Sequence, residues 1–132
     1  MTRRKAFTLV ELLVVIAIIA ILAVAGVVGY TVFVDKAKIS NAESEGAQVK
    51  SLLEAEDLLN DNFEITTDGI VFVGSYSFED IFDDTTDTEL KALETNITYL
   101  PLENKITITS VSDPSYLAVW DLANKTVKGQ KA

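Results

Sequence analysis

The 132-residue chain contains no cysteine and no histidine, and only two prolines, Pro101 and Pro114. Without cysteine it can form neither a structural disulfide nor a thiolate site. Without histidine it lacks the commonest general base, and with both missing no cysteine- or histidine-ligated zinc centre is possible. Positive charge is scarce wherever a surface would need it. Arg3, Arg4 and Lys5 stand at the extreme N-terminus, and from Phe7 onward eight Lys and Arg face all twenty Asp and Glu. Such an acidic body repels phosphate backbones, so general nucleic-acid binding is not expected. A chain of this length holds one modest domain.

What is present in excess is apolar sequence. From Leu12 to Val34 there are 23 consecutive residues without a charge. As a helix that run is about 35 Å long, enough to cross a hydrocarbon core of roughly 30 Å. Its basic flank lies on the N-terminal side, which keeps Met1 to Lys5 in the cytoplasm and sends the chain after Asp35 outward. A secretory signal peptide would have the same outline, with Ala23-Val24-Ala25 as an A-x-A-like cleavage site; so would a permanent single-pass anchor. Neither gives a task to Glu11, a carboxylate at the start of the apolar run that costs roughly 2.5–3.5 kcal/mol if drawn to the bilayer centre.

Residues Lys5 to Leu22, KAFTLVELLVVIAIIAIL, resemble the class III signal of type IV prepilins and of the pseudopilins of secretion and competence systems. The matching features are the basic leader MTRRKA, then Phe7, then Glu11 four residues on, then the unbroken apolar stretch. The resemblance implies cleavage between Ala6 and Phe7 by a membrane prepilin peptidase, which also methylates the new amine to give N-methylphenylalanine at Phe7. The family usually has Gly where this chain has Ala6. It further implies a helical filament, a homo-oligomer in which the N-terminal helices bundle away from water. There a Phe7 ammonium and a Glu11 carboxylate would each be costly alone, and a staggered neighbour lets them pair and sets axial register.

Asp35 to Asn60 keeps helical character, with Ala42, Val49, Leu52, Leu53 and Leu59 at separations of three, four or seven, so one helix is expected from about Phe7 to Leu59, its second half laid on a sheet. Strand signals follow. FEIT and IVFV flank Thr67-Asp68-Gly69, a hairpin cue; Ser77 to Asp80 and Thr86 to Glu89 resemble capping boxes, which predict a short turn and a helix near Thr88 to Glu94. The segments NITYL, KITITSV, YLAVWDL and KTVKG, separated by turns, predict an antiparallel meander. The expected fold is α+β and type IV pilin-like. A leader occupies 1–6, a transmembrane and filament-core helix 7–34, and an extracytoplasmic globular domain 35–132.

Glu79, Asp80, Asp83, Asp84, Asp87 and Glu89 place six carboxylates in eleven residues. Oxygen ligands at that density could take calcium, with Asp80, Asp83, Asp84 and Asp87 as weak candidates, but the EF-hand spacing is missing and a solvated acidic loop is the commoner meaning. No cofactor is expected. Asn96-Ile97-Thr98 and Asn124-Lys125-Thr126 fit a glycosylation sequon but read as strand and turn chemistry. Trp120, Tyr99 and Tyr116 read as core or sheet-face residues. No nucleophile–base pair and no glycine-rich phosphate loop is found in the sequence, so an enzyme is not expected. The resemblance implies a pilus subunit, with a pseudopilus subunit as the alternative within the family and a membrane-anchored binding domain that never polymerises as the alternative outside it. The implied partners are prepilin peptidase, the assembly machinery, membrane lipid before assembly, and further copies of the chain. The implied locations are the membrane for precursor and subunit pool, and a cell-envelope or extracellular filament after assembly, with motility, adhesion or secretion as its uses.

Overall fold

The computed structural model describes residues 6–132. The chain divides into two compact units, Met1–Lys36 and Ala37–Ala132. One helix, α1 (Leu9–Leu59), supplies most of the first and opens the second. No proline interrupts it. Its start differs from the sequence expectation by two residues: Phe7 and Thr8 lie outside the helix.

In the first unit every described residue from Ala6 to Phe33 is exposed. Ile16, Ile18, Ile19, Ile21 and Leu22 all stand more than half open. A continuous apolar surface of this kind is stable only against lipid or other helices. By length and composition α1 is able to cross a membrane.

The second unit has its own core. Two strands, β1 (Phe63–Thr66) and β2 (Gly69–Phe72), form an antiparallel hairpin. Thr66 closes it: its hydroxyl accepts from the Asp68 amide and donates to the Gly69 carbonyl, and Gly69 takes a φ of 132° that favours glycine. Two short helices follow, α2 (Asp80–Asp84) and α3 (Thr88–Ala92), then a 3₁₀ turn at Glu94–Asn96. The predicted box at Thr86 is replaced by Asp87, whose carboxylate caps α3 by accepting from the Glu89 and Leu90 amides. The chain ends in an antiparallel meander of four strands, β3 (Ile97–Leu100), β4 (Lys105–Thr109), β5 (Tyr116–Asp121) and β6 (Thr126–Lys131), paired in that order.

Register decides which side chains reach the helix. Ile97, Ile108, Ala118 and Gly129 form one row across the sheet, and Tyr99, Ile106, Trp120 and Val127 the next. Against these rows α1 lays Ala42, Gly46, Val49, Leu53 and Glu56, spaced alternately four and three apart. Leu59, expected on this stripe, is exposed, and Leu52 is half-buried; the positions that complete the stripe are Gly46 and Glu56. Glu56 is buried because the Thr85 hydroxyl donates to its carboxylate at 2.8 Å. Trp120 and Tyr116 are buried and Tyr99 half-buried, as core and sheet-face residues should be. The architecture is α+β, a long N-terminal helix packed on small antiparallel sheets.

Candidate functional site

The residues at which processing is expected, Ala6 and Phe7, are both exposed and neither is helical; Phe7 is 90% open. The remainder of the leader, 1–5, lies outside the described residues. Immediately after the Ala6–Phe7 bond the chain is pinned by a reciprocal pair of hydrogen bonds. The Glu11 amide donates to the Thr8 hydroxyl oxygen at 3.2 Å, and the Thr8 amide donates to the Glu11 carboxylate at 3.1 Å. The Thr8 carbonyl then accepts from the Leu12 amide at 3.3 Å. This is a capping box, Thr8-Leu9-Val10-Glu11, with Thr8 as the N-cap. It satisfies helix amides that would otherwise have no partner and places a carboxylate at the positive end of the helix dipole. Glu11 therefore has a partner within its own chain, and its presence does not by itself demand a neighbour.

The acidic segment is organised by its own backbone. The Asp80 carboxylate accepts from the Ser77 amide at 2.6 Å and from the Ser77 hydroxyl at 2.9 Å, and Asp87 is occupied as the cap of α3. Asp83 and Asp84 are exposed on α2. Among the described residues, no three carboxylates converge on a point where a metal ion would sit.

Other carboxylates fasten the second half of α1 to the sheet. Glu45 accepts from the Val111 amide at 2.9 Å and the Ser112 hydroxyl at 2.8 Å. Partial burial pushes its carboxyl up, but the hydrogen bonds from Ser112, Ser110 and the Val111 amide together hold it below the usual carboxylate range. Lys38 reaches Asp113 at 2.8 Å, and this bond, with the Ser115 amide, lowers the Asp113 carboxyl too. Glu43 accepts from the Gly129 amide at 3.1 Å on the edge strand β6. Both sequon asparagines are engaged at turns: Asn96 donates to the Thr109 carbonyl, and Asn124 to the Asp121 carboxylate.

Residues 1–27 match the family model described as the prokaryotic N-terminal methylation motif. Comparison with curated proteins and with solved structures found no match. The exposed Ala6–Phe7 bond, the capped helix start and the bare apolar helix all fall on the matched segment or run directly out of it. This chain carries, over residues 1–27, the class III signal that is the N-terminal signature of type IV pilin-type precursors.

Proposed function

We propose that the chain is a structural subunit, cut between Ala6 and Phe7 and methylated at the Phe7 amine, that polymerises through the apolar half of α1 into a pilus or related pseudopilus. The observation that carries this reading is the union of the methylation motif with an apolar helix of which every described side chain from Ala6 to Phe33 is exposed. Lipid covers that surface in the subunit pool, and the helices of other copies cover it in the filament. The peptidase and the assembly machinery of the membrane are its partners. The role is structural rather than enzymatic. Filaments sheared from cells should contain the processed chain; its confinement to the membrane fraction would count against polymerisation. A non-polymerising anchored domain is the second reading, favoured by one observation: the capping box gives Glu11 a use inside the monomer.

The globular unit needs neither the apolar half of the helix nor any disulfide for its core. A fragment from Thr31 to Ala132 should fold as a monomer, with a thermal midpoint indifferent to reductant. We propose that the acidic segment around Asp80, Asp83, Asp84 and Asp87 is a solvated loop without bound calcium. Millimolar calcium should then leave the midpoint unmoved. A rise of several degrees, reversed by chelator, would instead assign the segment a calcium site.

A further inference from the structure

Ahead of Thr8 the sequence has nothing of its own to stop a helix. Arg3, Arg4, Lys5 and Ala6 are all good helix formers, and neither Gly nor Pro occurs among the first 25 residues. Left to propensity, α1 could extend backwards through Phe7 and Ala6. That would matter for processing, because a peptide bond inside a helix turns its carbonyl into the hydrogen-bond ladder and its flanking side chains outward around a cylinder. A cleft that holds a substrate by main-chain hydrogen bonds needs the backbone extended. Yet α1 begins only at Leu9, and Ala6, Phe7 and Thr8 are non-helical. The Thr8–Glu11 box stands at that boundary, two residues beyond the expected scissile bond.

We propose that Thr8 is a positioning residue for leader cleavage: its hydroxyl fixes the start of α1 and so keeps the Ala6–Phe7 bond out of the helix, open to the peptidase. The proposal rests on cleavage at Ala6–Phe7, the reading given above. Thr8 does this without touching the reacting atoms. Its hydroxyl accepts the Glu11 amide only when Thr8 itself leaves helical geometry, as an N-cap residue must. The burden falls on Thr8 because position 6 is alanine, the strongest helix former, where glycine would weaken the helix unaided. The backbone amide of Glu11 survives any change of its side chain, so the Thr8 hydroxyl keeps its partner in a Glu11 variant; a Thr8 variant loses the cap itself.

The test follows leader removal by pulse–chase in cells carrying the peptidase, using the full-length precursor. Thr8→Ala should be cleaved about fivefold more slowly than the parent, the population shift typical of a lost N-cap. Thr8→Ser, which retains the hydroxyl, should be cleaved at the parental rate. The decisive variant is Ala6→Gly combined with Thr8→Ala. Glycine disfavours the backward extension, so the double variant should be cleaved nearly as fast as Ala6→Gly alone. A Thr8→Ala precursor cleaved as fast as the parent would overturn the proposal. So would a Thr8→Ala deficit that persists undiminished when both chains carry Ala6→Gly, since the peptidase would then be reading the threonine side chain directly. Absence of any cleavage at Ala6–Phe7 in the parent is a different result, and it overturns the processing reading itself.

Discussion

Replacing Glu11 by Leu is expected to leave the precursor inserted and cleaved but to remove it almost entirely from sheared filaments. Insertion should be unharmed, because the change deletes the one charge of the apolar segment. Cleavage should persist, because the Thr8 hydroxyl still accepts the amide of residue 11 and still ends the helix at Leu9. Assembly is another matter. In the monomer the Glu11 carboxylate is bonded to the Thr8 amide and open to solvent, so its charge is tolerated. In a bundle of helices the new ammonium at Phe7 would be taken out of water, and a charge left unpaired in such a place typically costs about 3–5 kcal/mol. Loss of that size per subunit means a filament yield reduced by two orders of magnitude or more. Glu11→Gln keeps the hydrogen bond to Thr8 and removes the charge, so its yield should fall between parent and Glu11→Leu. Comparing filament and membrane fractions of the two variants separates the pairing from the capping: if capping alone matters, Gln behaves as the parent.

The second large effect is expected at two glycines that let α1 touch the sheet. A methyl group added at Gly46 would run into Cβ of Ala118 and crowd Val127, and one added at Gly129 would run into the backbone carbonyl oxygen of Ile39. In an exposed helix Gly→Ala stabilises by roughly 1 kcal/mol. At Gly46 the sign should reverse, because Ala118 is wholly buried and the sheet behind it cannot yield without losing the rows of Ile108 and Val127. Overpacking of this kind costs about 1–3 kcal/mol. Gly129→Ala should be worse, since the obstacle is main chain and its displacement would also break the Glu43 carboxylate's bond to the Gly129 amide. In the Thr31–Ala132 fragment, thermal melts should show Gly46→Ala lowered by roughly 10 °C, with Gly129→Ala at least as low or unfolded. The full-length variant Gly29→Ala is the counter-case. Beyond the backbone of its own helical turn and its chain neighbours, nothing lies within 4 Å of a methyl added at Gly29, so the membrane-bound protein should accumulate as the parent does. An unchanged melt for Gly129→Ala would mean that helix and edge strand are not in contact.

These particulars show where the sequence was legible. The apolar run, the meander and the hairpin at Asp68-Gly69 are written in period and in turn residues, which act locally, so their elements lie close to where the pattern puts them. The helix stripe was only half legible. A count of apolar side chains finds Ala42, Val49 and Leu53 but credits Leu59, which faces solvent as the last residue of α1. It passes over Gly46, whose contribution is the absence of a side chain, and Glu56, whose burial depends on a hydroxyl 29 residues away. The capping box was written in full as Thr8-x-x-Glu11. Its signal is masked because Glu11 also stands at the start of an apolar segment, where an unpaired carboxylate calls equally for an external partner. The register that sets Gly129 against the helix is a long-range outcome of strand pairing and has no local signal.

We propose that the mature chain begins at Phe7 with a methylated amine and enters the filament in that form. Intact-mass and N-terminal fragment spectra of subunits sheared from the cell surface test it directly. One species is expected, Phe7 to Ala132, with a single added methyl on the Phe7 nitrogen, while uncut precursor stays in the membrane. A mature terminus at Gly26, after Ala23-Val24-Ala25, would make the apolar segment a discarded signal peptide and contradict the account.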